Sequence, residues 1–470
     1  MELTAAHVMA ATAGHLVQGE AHTPLTGVST DSRTVAPGEL FVAIEGERLD
    51  GHRFVGRALG AGAAAAVVRR WPLEVATDRP VIVVDDTVAA YGQVASWWVG
   101  QMPARIVTVT GSNGKTTVKE MIAHLLDGLG PTVRSLGNHN NHIGVPETLL
   151  RVGPGHRFAV VEMGTNHPGE LEALARLVRS SVAVITNIGP SHLEAFGSER
   201  GVAREKERLL AHLAPDGLAV LHADDKWSRW IALRHQGRLA TFGVSPDAAW
   251  RAEAQWLDDD QVRFHLAGTG VSFAVPVVGS WQVGNTLAAL AAAAELGLDP
   301  RAAAQRLASF RPPRWRMTVQ RVGGLTLVLD CYNANPASMA AAIRDVARRA
   351  AAGRRVAVVG DMLELGRVSH AAHTDVGRLV ASEGYDVLCA VGAQAEVVAG
   401  AACRQGMAPG RVFWATDREV AAQWLCARVG PEDTVLFKAS RGVRLEQVAA
   451  KVESWAAAHL RAGAQPAVAT

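Results

Sequence analysis

Cysteine is scarce in this chain. The four present, Cys331, Cys389, Cys403 and Cys426, form neither a Cys-x-x-Cys pair nor a zinc-ligand pattern. A disulfide framework is therefore not expected, and free buried thiols in a reducing compartment are. Long apolar runs are also lacking. The stretch 61–68 ends at Arg69-Arg70, far short of the roughly 20 residues that span a bilayer. Residues 1–12 carry Glu2 and His7 and no basic region leading into an apolar one, so no secretory signal is read there. Excess charge of one sign is missing too. Lys+Arg number 47 against 45 Asp+Glu, for a net charge of +2 and a pI near 8.4. That balance leaves no footprint for bulk nucleic-acid binding, although local charges can still hold an anion. A cytoplasmic protein with neither nucleic acid nor membrane as partner is expected.

What is present is ordinary globular material, 49% hydrophobic and 20% charged over 470 residues. At about 100–200 residues per domain, three domains are a reasonable start. Two seams divide the chain. One precedes Pro103. The other is Phe310-Arg311-Pro312-Pro313-Arg314, where the proline pair stops an Ala-rich helix because proline lacks the N–H and clashes with the preceding turn. The domains expected are 1–98, 99–312 and 313–470.

The first segment offers strands at 40–44 and 81–84 and an Ala-rich helix near 57–66. The middle one alternates strands (106–110, 158–163, 182–187, 218–221) with helices (117–129, 202–212), then a hairpin (262–266, 271–277) and a helix at 285–296. The last has strands at 325–329, 356–359, 387–391 and 434–437 with helices between. Such alternation predicts α/β domains built on mostly parallel sheets. The tail after Arg461 is expected to fray.

The strand 106–110 runs into Gly111-Ser112-Asn113-Gly114-Lys115-Thr116-Thr117, and a helix follows. Backbone N–H groups in a glycine turn at a helix N-terminus cradle phosphate. The lysine adds charge near the terminal phosphates, and the threonine hydroxyl can ligate Mg²⁺. Val109 stands where the full pattern has its first glycine, which argues against an ordinary GTPase. Glu162 closes an apolar strand, and a carboxylate at that end of a parallel strand faces the ligand crevice. His192 follows a Gly-Pro-Ser turn. Lys206 sits between Glu205 and Glu207 and by itself reads as a salt-bridged surface helix.

With these motifs the chain resembles the Mur ligases, ATP-dependent amide-bond ligases of peptidoglycan precursor synthesis. The likeness is carried by 110–117, by Thr30-Asp31-Ser32-Arg33 and 38–43, and by the Asn-rich loop 137–146. It continues through Glu162-Met163-Gly164-Thr165-Asn166, 187–194, 330–336, 360–366 and Lys438-Ala439-Ser440-Arg441-Gly442. It covers essentially the whole chain. The resemblance implies a uridine-binding first domain, a central ATP-binding phosphate-loop domain and a Rossmann-like third domain.

Late motifs resemble the member that adds D-alanyl-D-alanine to UDP-N-acetylmuramoyl-tripeptide. The Asp-Asn-Pro-Arg motif typical of the diamino-acid-adding sibling is absent. By the resemblance, Lys115, Glu162, His192 and Lys206 are catalytic, and Thr116, Glu162, His192 and a carbamylated Lys206 hold two Mg²⁺ ions. The loop 111–117 with Asn285, Arg316 and Asp330 holds ATP. Ser32, Asn140, Asn141, Tyr332, Asn333, Asn335, Lys438, Ser440 and Arg441 contact the other substrates. A monomer is implied. Trp281-Gln282 replaces the family's usual His-Asn pair, and Arg314-Trp315-Arg316 its Gly-Arg. The rivals are the sibling ligase taking one amino acid, and a module using ATP only as a switch. A Rossmann dehydrogenase is excluded because no strand is followed by Gly-x-Gly-x-x-Gly.

Overall fold

The computed structural model describes residues 3–46, 49–71, 77–258, 260–349 and 351–460. The tail after Arg461 lies outside the described residues. Among the described residues three large sheets, with a two-stranded ribbon of Leu3–Thr4 and Pro24–Leu25 beside the first, organise the fold, and each large sheet carries its own hydrophobic clusters.

The first is five-stranded, in the order His15–Gln18, Val81–Val83, Ala65–Val68, Leu40–Val42, Val28–Ser29. The first pair is antiparallel and the rest are parallel. One expectation fails here. The helix predicted near 57–66 covers only Val55–Gly60, and Ala65–Val68 is a fully buried parallel strand. Gly62, at φ +108°, turns the chain between them. Alanine favours helix, but four consecutive small apolar residues also suit a strand covered on both faces.

The central sheet has nine strands, in the order Val271–Val275, Val262–Leu266, Trp250–Leu257, Arg238–Gly243, Leu213–His222, Ser180–Ile185, Arg105–Thr110, Phe158–Glu162, Thr132–Arg134. Val262–Leu266 pairs antiparallel with both Trp250–Leu257 and Val271–Val275, and the remaining pairs are parallel. The parallel strands are near-continuous Val, Ala and Ile runs because helices cover both faces. One core packs the helices Lys115–Leu126 and Gln282–Glu295 on one side, and a second lies on the other. Register sets Val109 beside Glu162, and Thr110 beside Ile185. The phosphate loop and Glu162 therefore leave the same edge of the sheet.

The third sheet runs Thr318–Val322, Leu325–Asp330, Thr434–Lys438, Arg355–Gly360, Val387–Val391, Val412–Ala415, parallel except at its first pair. Its helix Pro336–Ala347 starts on an Asn335 cap with Pro336 in the first turn, a standard helix start. The seam at 98/99 falls in the last turn of the helix Thr87–Gly100. At the other seam, Phe310 still packs in the central core, while Trp315 and Met317 join the third domain's.

Among the described residues no helix is long and apolar enough to cross a membrane. All four cysteines are free; Cys331 and Cys389 are buried, but Cys403 and Cys426 are only half-buried.

Candidate active site

The phosphate loop is built around two glycines that admit no side chain. Gly111 sits at φ +150°, where a Cβ would fall 1.8 Å from Thr186 Oγ1. Gly114 sits at φ +82°, with Asn285 Oδ1 2.4 Å from the same imagined atom. Both glycines are thus required by conformation and by close approach. The loop is braced from the next strand. Ser112 N donates to Asn187 O (2.9 Å), Asn113 N to Asn187 Oδ1 (3.0 Å) and Ser112 Oγ to Gly189 O (3.1 Å). Lys115 Nζ donates back to Gly111 O at 2.9 Å, so the ammonium lies over the loop. Burial, helped by the nearby Arg316, pulls the pKa of Lys115 down; Glu162 opposes this. Thr116 and Thr117 are buried at the helix start.

Glu162 is buried at its strand end, only 1% exposed. Its Oε1 accepts from Asn140 Nδ2 at 2.8 Å, and its N–H donates to Ser135 Oγ at 3.0 Å. Its Oε2 is buried with no hydrogen-bond partner among the described residues. An orphaned carboxylate oxygen is costly unless something cationic meets it. This observation fits a divalent ion held by Glu162 with Thr116 and phosphate oxygens. Among the described residues no three His, Cys, Asp or Glu side chains converge as a metal site, so a ligand would have to supply much of any coordination. Asn141, next to Asn140, accepts at Oδ1 from Ile143 N (3.1 Å) and Gly144 N (3.0 Å) in the turn before the helix Gly144–Leu150.

Lys206 departs from the surface reading. It is 3% exposed, and among the described residues its ammonium makes no hydrogen bond or ion pair, while Glu205 turns inward to accept from Gly169 N and Leu171 N. Burial, with Lys115 nearby, brings its pKa down to about 7. A buried amine of that basicity is a competent nucleophile. His192, at φ +50°, pairs through Nδ1 with Glu364 Oε2 at 2.6 Å, and Glu364 is itself at φ +61°. Burial lowers the His192 pKa, against the pull of Glu364.

The third domain closes over the loop. Arg316 Nη2 donates to Thr116 Oγ1 at 2.8 Å, and its guanidinium lies 4.0 Å over the Tyr332 ring. Arg314 is exposed instead. Asn335 Nδ2 donates to Asn113 Oδ1 at 2.8 Å. Asp330 receives Lys438 Nζ at 2.6 Å, and the same ammonium donates to Asn333 O. Burial pushes the Asp330 pKa up, and Lys438 and Arg316 draw it back. Lys438 and Ser440 are buried ties. Ser440 Oγ donates to Ala334 O and accepts from Leu363 N. Arg441 pairs with Glu446 at 3.0 Å. Ser32 lies buried in the first domain, beside the exposed pair Asp31–Arg33.

A cavity of about 480 Å³ adjoins the loop, walled by Asn113, Asn187, His222, Phe242, Trp281 and Asn285. The departure from the family pair has a structural account. Trp281 forms cavity wall, while Gln282 Oε1 accepts from Asn285 Nδ2 at 2.8 Å and so orients that amide. A larger cavity, about 880 Å³, lies in the third domain against Asp361, Gly392, Asp417 and Lys451. None of the phosphate-loop residues lines it, so the smaller cavity is the one placed for a nucleotide base.

Sequence reasoning missed Glu364, His222 and Lys119. Only Glu364 left a signal, since it stands inside the recognised stretch 360–366.

Comparison with known proteins accounts for all three domains. The model described as "Mur ligase family, catalytic domain" matches residues 24–97, "Mur ligase middle domain" 109–293, and "Mur ligase, glutamate ligase domain" 315–441. The chain is 37% identical over 439 residues to the UDP-N-acetylmuramoyl-tripeptide--D-alanyl-D-alanine ligase of Escherichia coli (strain K12), covering 90% of this chain and 93% of that one. It superposes on MurF from Acinetobacter baumannii with a TM-score of 0.88 at 30% identity, over 97% and 99% of the two chains. The MurF ligase from Thermotoga maritima in complex with ADP gives 0.81 at 30% identity, over 91% and 97%.

Proposed function

This chain belongs to the Mur ligase family, and from that premise we propose how its site carries out the ligation of D-alanyl-D-alanine to UDP-N-acetylmuramoyl-tripeptide with consumption of ATP, in peptidoglycan precursor synthesis. The observation that carries the proposal is the joint built by Lys115, Thr116, Arg316 and Asn335 over the phosphate loop, beside an orphaned Glu162 oxygen.

A carboxylate is a poor acyl donor, so the tripeptide's terminal carboxylate is first phosphorylated by ATP. Two anions must approach, and Lys115 and Arg316 supply positive charge where the transferring phosphoryl group sits. Bound Mg²⁺, held by Thr116 and Glu162, would offset the remaining phosphate charge. A second ion would use His192 and a carbamylated Lys206. Carbamylation turns an ammonium that repels a cation into a carboxylate that attracts one. The amine of the dipeptide then attacks the acyl phosphate and expels phosphate. Asn335, Arg316 and Glu364 hold the third domain closed and keep water from hydrolysing that intermediate. Asn140, Asn141, Tyr332, Asn333 and Arg441 are the residues we place around the two acceptor substrates, with Ser32 at the uridine. Positioning of this kind can supply roughly 7–11 kcal/mol of the barrier reduction. We place the enzyme in the cytoplasm, as a monomer.

The test is phosphate release from ATP and Mg²⁺ with UDP-N-acetylmuramoyl-tripeptide, with and without D-alanyl-D-alanine, and the product weighed. Release requiring both substrates and yielding the pentapeptide supports the reading. Release with a single amino acid in place of the dipeptide moves the chain to the sibling ligase. Release needing neither leaves only an ATPase.

A further inference from the structure

We propose that Lys119 is a positioning residue of this ligase: its ammonium pins the Asn-rich loop to the phosphate-loop helix and so fixes the carboxylate of Glu162.

Lys119 lies one helical turn after Lys115, on the same face of the helix Lys115–Leu126. Its exposure is 0%, among the most buried large side chains of the molecule. A lysine has three donors and no acceptor, and here all three are directed. Nζ donates to Ser135 O at 2.7 Å and to Gly137 O at 3.1 Å, and pairs with Glu120 Oε1 at 2.6 Å. Residues 135–143 follow the strand Thr132–Arg134 and belong to no helix or strand. Ser135 is the buried residue of this segment, so its carbonyl needs a partner from elsewhere; the Lys119 ammonium is that partner and also donates to Gly137 O.

The tie continues to Glu162 by two routes. Ser135 Oγ accepts from Glu162 N at 3.0 Å and from Thr148 Oγ1 at 3.3 Å, which fixes the end of that strand. Further along the same segment, Asn140 Nδ2 donates to Glu162 Oε1 at 2.8 Å, and Asn140 O accepts from Gly164 N at 2.8 Å. Asn140 holds one carboxylate oxygen and leaves Oε2 unpartnered. The helix that starts with Lys115 and Thr116 and the carboxylate that faces them are thus linked through one buried ammonium. Changing an outer partner of a metal-ligating side chain usually weakens metal affinity 10–100-fold.

The proposal is tested on the full chain by Mn²⁺ titration in the presence of ADP, read by electron paramagnetic resonance, for Lys119→Met, Ser135→Ala and the double variant. This readout does not depend on ligation, so a failed acceptor assignment leaves it standing. Lys119→Met is expected to keep the native circular dichroism, to bind metal-free ADP within about twofold, and to weaken Mn²⁺ about tenfold or more. Its kcat falls about tenfold, while the KM for the dipeptide stays within about threefold. The double variant is no weaker than the stronger single, because both act through one segment. A Lys119→Met protein with native Mn²⁺ affinity and only a lower melting temperature overturns the proposal, as does full additivity. If Lys119→Met does not fold, Ser135→Ala decides alone: weakened Mn²⁺ supports the tie, and native affinity overturns it.

Discussion

The two halves of the site are made differently. The central-domain half is a contiguous loop between one strand and one helix; Lys115 bonds back to Gly111 four residues away, and the end of the neighbouring strand braces the loop from within the same domain. The third-domain half is assembled from the ends of several strands. Arg316, Asp330, Asn335, Glu364 and Lys438 come together through partners 105 or more residues apart. The first half is therefore contiguous in sequence and built within one domain. The second depends on the domains meeting, and each of its cross-domain contacts is a place where closure can be broken.

The largest effect belongs to the local half. Lys115→Ala removes the cation over the phosphates, and turnover should fall about 10³-fold or more, with circular dichroism unchanged. Near-normal phosphate release would show that the loop binds without taking part.

Asp330→Asn comes next and acts on stability. It leaves the Lys438 ammonium buried without its carboxylate, which costs about 3 kcal/mol; urea denaturation reads it directly. An unchanged midpoint would mean that Asn333 O suffices.

Arg316→Ala tests whether the halves work as one. It strips the donor from Thr116 and the stacking on Tyr332, and kcat should drop about 10²-fold with stability nearly constant. A change confined to the KM for ATP would make Arg316 a binding contact only.

Glu364→Gln loosens the pair with His192, and kcat/KM should decline about tenfold, near 1.4 kcal/mol. A larger radius of gyration by small-angle scattering should accompany it.

The smallest effect lies in the first domain. The Arg33 guanidinium beside Asp31 holds that carboxyl at about 2, against an ordinary 3.8. Its folded pKa is depressed, so the stabilisation is present above about pH 4 and fades as pH falls towards 2. The pair is exposed, so water and salt keep its contribution small. Arg33→Ala should lower stability slightly at neutral pH, and the curves of variant and parent should converge as pH falls towards 2; urea denaturation across pH checks this.

Much of the fold was legible because parallel strands buried on both faces write themselves as apolar runs, as at 106–110 and 387–391. The exception was 65–68, where alanine serves helix and strand equally and the neighbouring sheet decided. In the site, Gly111 to Thr117 and Glu162 could be read directly, since a loop between strand and helix keeps its chemistry in order along the chain. Lys206 and Lys119 could not. A charge within a helix reads as a solvated face, and nothing in the local pattern shows that Glu205 turns inward or that two loop carbonyls await an ammonium.

The sequence by itself determined three α/β units, a phosphate loop with its two obligatory glycines, and the motifs by which the family is recognised, because these depend on short-range sterics and periodicity. Tertiary structure alone decided which arginine meets Thr116, that Glu364 faces His192, that Lys438 is spent on Asp330, and that Glu162 keeps one oxygen free. These pairings join residues remote in the chain, and they exist only when the sheets and domains have packed and excluded the water that would otherwise take their place.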